Sequence, residues 1–162
     1  MIQAGYDYWL CKRGVRDMPS RVDLDPAEIK RILPSVMLVD VLGPHQYRYR
    51  LIGTSCVVAH GINAAGKTLD EALKDYEYRA HVVGLYDQCV AERRPLYSES
   101  LFFRSNAAVD RHLKVLFMPL SADAVTVGMV FVVQIIEFID ETIRDRHFIS
   151  TNRHKEFTRA LL

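Results

Sequence analysis

The spacing of apolar residues changes several times along this chain, and each change predicts a new element. Gln3 to Arg13 is a mixed amphipathic segment with Tyr6, Trp9 and Leu10 on its apolar side. It predicts a short helix that Gly14 ends. Asp25-Pro26-Ala27-Glu28 then places an N-cap acceptor, a first-turn proline and an N3 glutamate in order. That is a capping-box pattern, and it predicts a helix with Ile29, Ile32 and Leu33 on one face, stopped by Pro34. Val36 to Leu42 is β-branched and apolar apart from Asp40. Gly43-Pro44-His45 turns the chain into Tyr47 to Ile52, whose side chains alternate between two faces, so the pair predicts a hairpin.

From Gly53 to Gly66 the strand rhythm is lost, and Cys56 to Ala59 predicts one or two helical turns. Lys67 to Leu73 predicts another short helix. Tyr78, Val82, Leu85, Tyr86, Cys89 and Val90 recur at spacings of three and four. They predict the longest helix, about Asp75 to Arg93, with Arg93 and Arg94 at its negative end and Pro95 beyond. Three strands follow at Leu96–Phe103, His112–Leu120 and Val125–Phe138, with connections at Asn106-Ala107 and Ser121–Ala124. The last strand is apolar on both faces, so it is central or covered by another layer. Helices grouped between two sets of strands give an α+β fold on a five-stranded antiparallel sheet. The expected division is an N-terminal helix and connection over 1–24, a main domain over 25–138, and a charged tail over 139–162 that could form a short amphipathic helix.

Composition narrows the function classes. The chain has 162 residues, 49% of them hydrophobic and 25% charged, with a formal net charge of +1. Such a chain buries roughly 70% of its unfolded surface without disulfides. A balanced charge points to neither nucleic acid nor an anionic membrane surface. Cys11, Cys56 and Cys89 are too few and too scattered for a disulfide framework or a zinc site. The longest apolar run, Val125 to Ile136, is too short for a bilayer that needs about 20 residues. No signal-peptide pattern opens the chain, so a reducing cytoplasm is expected.

The order of elements resembles a PAS domain. More narrowly, the chain resembles the single-domain PAS-like family common in alphaproteobacteria, formerly filed as of unknown function. The residues that carry the likeness are Trp9, Arg13-Gly14, Met18-Pro19-Ser20-Arg21 and Asp23 to Ile29. Leu33-Pro34, Leu38-Val39-Asp40-Val41, Tyr49 to Thr54 and Gly66-Lys67-Thr68-Leu69 complete the set. The resemblance implies a curved antiparallel sheet with helices over its inner face and a small molecule held between them. It also implies pairing through the outer face or an N-terminal helix. It brings no catalytic residues and no particular cofactor.

Catalytic chemistry has little to rest on. HExxH, GxxxxGK[ST] and GxGxxG are absent, and no histidine or cysteine sits in a nucleophile signature. The expectation is a binding module and not an enzyme. By the topology that the resemblance implies, the candidate pocket comprises Arg50, Cys56, His60, Tyr86, Cys89 and Phe103. Arg50 could clamp a carboxylate or phosphate if it faced inward. The same alternation also allows Arg48 and Arg50 on a solvent face with the tyrosines inside, and Ile52, which shares the arginine face, leaves both open. His81 is the one haem hint, because the resemblance sets it on the long helix, where some haem-binding PAS domains place a ligand. Cys56 lies in TSCVVAHG, which is not a flavin-adduct motif. Tyr6 and Trp9 either pin the first helix to the domain or form a dimer seam. The chain is expected to carry no output domain of its own. It is read as a sensory module for an unidentified small molecule, a homodimer, with a signalling protein as a further partner. A ligand-free dimerisation or interaction module is the alternative.

Overall fold

The computed structural model describes residues 1–102, 110–139 and 154–162. Helix α1 (Ile2–Arg13) is followed by the hairpin β1 (Val36–Gly43) and β2 (Gln46–Ile52). Three helices come next: α2 (Thr54–His60), α3 (Leu69–Ala72) and α4 (Tyr76–Glu92). Strands β3 (Leu96–Phe102), β4 (Asp110–Ser121), β5 (Val127–Ile139) and β6 (His154–Leu161) complete the described elements. They form one antiparallel sheet in the order β2-β1-β5-β4-β3-β6.

Two expectations are corrected. The sheet has six strands, because the end of the tail is the strand β6 along β3 and not a helix. The free edge of β3 presents a row of unpaired backbone donors and acceptors, and a strand satisfies them where a helix could not. Leu162 N–H also bonds to Pro95 O at 2.9 Å and extends that edge. The second correction concerns Asp25–Leu33, which forms successive turns ending in a 3₁₀ turn at Leu33–Ser35. Asp25 does accept a backbone N–H, from Ala27 at 2.8 Å. Glu28, however, pairs with Lys12 of α1 at 2.6 Å instead of reaching back to complete a cap. The reciprocal cap forms elsewhere, at Thr68 and Glu71, where Thr68 N–H donates to the Glu71 carboxylate at 2.8 Å.

The central position of β5 follows from its composition. Val130, Phe131, Val132 and Val133 are each at most 1% exposed. Val130 and Val132 sit opposite Val39 and Met37 on the inner face, while Phe131 and Val133 sit opposite Leu38 and Val36 on the outer one. Helix α1 covers the outer face. Its Trp9 is 1% exposed, and the indole N–H donates to Pro119 O of β4 at 2.9 Å. The Tyr8 ring meets Phe131 edge-on at 6.3 Å. A Cβ on Gly5 would stand 2.6 Å from Val133 Cγ2, so glycine sets how closely helix and sheet approach. Gly14 ends α1 at φ 58°, a left-handed conformation that glycine adopts without a Cβ penalty. Trp9 thus pins α1 to this chain. The bare apolar sheet face that motivated a homodimer is, over β4 and β5, already occupied.

These contacts give two expectations. Gly5→Ala forces an overlap with Val133 and lowers stability by about 1–3 kcal/mol. Gly84→Ala in α4, with open space around it, raises stability by up to about 1 kcal/mol. Urea midpoints of the two variants should therefore move in opposite directions. Acid sensitivity has a local origin too. Backbone N–H donors lower the carboxyl pKa values of Asp23 (from Ser20), Glu71 (from Thr68) and Asp123 (from Thr126 and Val125). A folded pKa below the unfolded one gives stability that is present above the unfolded value and lost as pH falls. The urea midpoint should hold above about pH 5 and fall towards pH 3, and Asp123→Asn should flatten that fall.

Candidate functional site

Alternation along the strands decides which side chains face α4. On β4 these are Leu113, Val115 and Phe117, opposite Ile136, Gln134 and Val132 of β5. On β3 they are Ser98 and Ser100, paired with Val115 and Leu113. Met37 of β1 and Tyr49 of β2 complete the floor. Helix α4 forms the roof with Tyr78, His81, Val82, Leu85 and Tyr86, and His60 closes one side from the end of α2. The helical spacing of three and four puts the α4 residues on one face. Asp75 caps the helix by accepting Tyr78 N–H at 2.9 Å.

The cavity that these residues enclose is narrow. It offers about 30 Å³ in which the centre of a water molecule fits, room for roughly two or three waters. Aromatic packing fills the rest of the interior. Tyr86 stacks on Tyr47 at 4.9 Å and meets Phe117 edge-on at 4.9 Å. The Tyr47 hydroxyl leaves the core and donates to Asp87 at 2.6 Å, and His45 Nδ1 pairs with the other oxygen of that carboxylate at 2.6 Å. One carboxylate on α4 therefore ties the helix to the β1–β2 turn.

The wall is polar for its depth. Ser98, Ser100 and Gln134 are buried. His60 Nε2 and Gln134 Oε1 lie 3.0 Å apart, which joins α2 to the central strand. Burial pushes the Tyr78 phenol up to about 12, with nearby Arg111 acting in the opposite direction. Burial also raises Tyr49 and, strongly, Tyr86. These phenols stay protonated and offer hydroxyl groups, not charges.

The expected pocket residues separate into groups. His60 and Tyr86 line the cavity, as does the haem candidate His81. A porphyrin is many times larger than the room present, so the cavity with these side chain positions does not fit haem. Cys56 and Cys89 are buried in the core cluster and are not part of the wall. Arg50 lies on the opposite face, 56% exposed at its side chain, and its Nε pairs with Asp40 at 2.7 Å. Arg48 joins the same carboxylate at 3.1 Å. The ambiguity over Ile52 has a local cause. Leu38 pairs with Leu51 and Val39 with Tyr49, leaving Arg50 as an extra residue in a bulge. The bulge reverses the alternation, so Ile52 pairs with Met37 and leaves the arginine face. Phe103 and the Asn106-Ala107 connection lie outside the described residues.

Ser98, Ser100, Gln134 and Tyr78 were not among the expected pocket residues. Gln134 did leave a signal, as a lone amide within the apolar run of β5. Ser98 and Ser100 left a misleading one. Their alternation with Tyr97 and Leu101 suggests an outward serine face, and the fold places it inward.

A sheet with α4 and α2 over one face and an N-terminal helix over the other agrees with a family match. The family model described as "PAS domain" matches residues 2–133. The chain belongs to the PAS domain family. No curated protein matches it. Among solved structures, the PAS domain of Bordetella pertussis BvgS is 19% identical, with a TM-score of 0.53 over 76% of this chain and 93% of that one. An RNA-binding Light-Oxygen-Voltage receptor is 16% identical, with a TM-score of 0.47 over 76% of this PAS chain and 34% of that chain. The LOV protein of Rhodobacter sphaeroides is 16% identical, with a TM-score of 0.42 over 70% and 68%. At these identities the likeness is one of fold. No helix among the described residues is long and apolar enough to cross a membrane.

The thiols of this PAS domain should differ in reactivity. Burial pushes Cys56 up to about 11 and also raises Cys89, while Cys11 is exposed. Only the thiolate is nucleophilic. Iodoacetamide at pH 8 should add one group to the native protein, at Cys11, and three after unfolding in urea, as counted by intact mass. Native labelling of Cys56 or Cys89 would contradict the packing.

Proposed function

We propose that this chain is a sensory PAS module whose input is a small molecule held between α4 and the inner face of the sheet. The observation that carries the reading is the placement of buried polar groups. Six buried residues among those described are polar or charged: Ser35, Asp40, Ser98, Ser100, Ser121 and Gln134. Three of them, Ser98, Ser100 and Gln134, line this one cavity, together with His60, His81, Tyr49 and Tyr78. A core that only had to be filled would place apolar side chains there, because a buried polar group costs stability unless it is hydrogen-bonded. A few polar groups converging in an apolar interior are what ligand sites require. The output is binding and not catalysis, through a second copy of the chain or a signalling partner at the surface that carries α1. Membership of the PAS family supports both halves of this reading.

A second reading has its own observation. Tyr47, Tyr86 and Phe117 pack the interior closely, and the room left suits about two or three waters. On this reading the domain is an interaction module with a filled core.

One screen separates the two. A ligand that binds only the folded state at about 100 times its Kd adds about 2.7 kcal/mol of stability. For a domain of this size that raises Tm by several degrees. A small-molecule library read by thermal shift and native mass spectrometry should yield such a compound, and Gln134→Leu should abolish the shift. A library that yields none leaves the interaction module. Light scattering after size exclusion should give a dimer at tens of micromolar, and a monomer would remove the self-pairing route.

A further inference from the structure

We propose that the α4–sheet cavity selects an uncharged ligand of about four heavy atoms carrying both a hydrogen-bond donor and an acceptor, as a primary amide does. The inference rests on the ligand-binding reading above and specifies the class of ligand. Its basis is the chemistry of the wall. Among the described residues, the cavity lining contains no Asp, Glu, Lys or Arg. Its polar groups are hydroxyls, imidazoles and one carboxamide. A serine or tyrosine hydroxyl both donates and accepts, and so does the Gln134 side chain. Such a wall matches a neutral group of mixed donor and acceptor character. A buried ion, by contrast, needs an opposite charge to offset its lost hydration.

The surrounding charges are placed elsewhere. Asp40, Arg48 and Arg50 pair with one another on the outer face. Glu99, His112, Lys114 and Glu137 form a second outer cluster, with His112 2.8 Å from Glu99 and Lys114 3.2 Å from Glu137. On the inner side Arg111 is the charge that acts on Tyr78. Its guanidinium lies over the Phe138 ring at 5.9 Å, and that ring is 58% exposed, so Arg111 stands at the solvent end. The size limit comes from the room available, about 30 Å³ for water centres. That space accepts a planar molecule with the bulk of two or three waters and excludes extended ring systems.

Acetamide, acetate and acetamidinium test this directly, because they share one planar four-atom shape and differ in charge. Each is titrated at constant ionic strength into the ¹⁵N-labelled full chain, with the Gln134 side-chain amide and the Ser98 and Ser100 backbone amides as reporters. Acetamide should produce saturable shifts with a Kd of about millimolar, the range open to so small a ligand. Both ions should bind at least about tenfold more weakly, a factor worth about 1.4 kcal/mol. Gln134→Glu, studied at pH 8, should reverse the order in favour of acetamidinium. Ser98→Ala is a milder change that should weaken acetamide several-fold if the glutamate variant does not fold. The proposal is overturned if either ion shifts these reporters as readily as acetamide, or if acetamide gives no saturable shift. It is also overturned if the library screen finds a charged ligand in this cavity, an outcome that leaves the sensory reading standing. If neither the three probes nor the library binds, both fall.

Discussion

Four successive residues of β5, Val130 to Val133, are withdrawn from water on both sides of the sheet, and the rest of the architecture answers that constraint. A strand buried on both faces needs a cover on each. Outside, the cover is α1, held by the Trp9 indole on Pro119 O and brought close by the missing side chain of Gly5. Inside, it is α4 with α2, through Leu85, Tyr86 and His60. The neighbouring strands are β1 and β4, which contribute further buried valines, leucines and a phenylalanine to the same layers. Polar residues gather where the sheet leaves this dry centre, as Arg48 and Arg50 around Asp40 on one flank and Lys114 with Glu137 on another.

Against that background the interior polar residues stand out. Gln134 is the first residue of β5 after the valine run, and it turns towards α4. Ser98 and Ser100 present hydroxyls from β3 to the same space. Gln134 meets His60 there, so part of the cost of burying its amide is recovered in a hydrogen bond. The aromatic group of Tyr47, Tyr86 and Phe117 narrows the space further. The result is a small cavity with hydrogen-bonding walls.

Much of this was legible in the residues. The boundaries of α1, β1, β2, α4, β3, β4 and β5 lie within a few positions of what spacing alone indicates. The double-sided apolar run of β5 announced its central place. What was illegible depended on tertiary partners. Asp25 to Glu28 has every local feature of a helix start, yet Glu28 is drawn to Lys12 across the chain. The tail has a mixed polarity that suits a helix, and at its described end the open edge of β3 pairs with His154–Leu161 as a strand. Arg50 could not be placed from alternation, because one bulged residue shifts the phase. At the candidate site, His60 and Tyr86 line the cavity from the elements that the family resemblance indicates. Cys56 and Cys89 lie in the core and not in the cavity wall, a difference the sequence does not carry, since a small buried thiol looks the same in either place. The serines were missed because a sheet covered on both sides removes the link between polarity and exposure.

The closeness of α1 to the sheet has one further meaning. Val133 lies beneath Gly5 of α1, and Gln134, the next residue, lies in the cavity wall. Successive strand residues point to opposite faces, so these two neighbours belong to different compartments of the molecule. The partition between the interior space and the outer helix is a single polypeptide backbone at that point. Two surfaces on opposite sides of the domain are thus one peptide bond apart along the chain. No extended relay of side chains has to connect them.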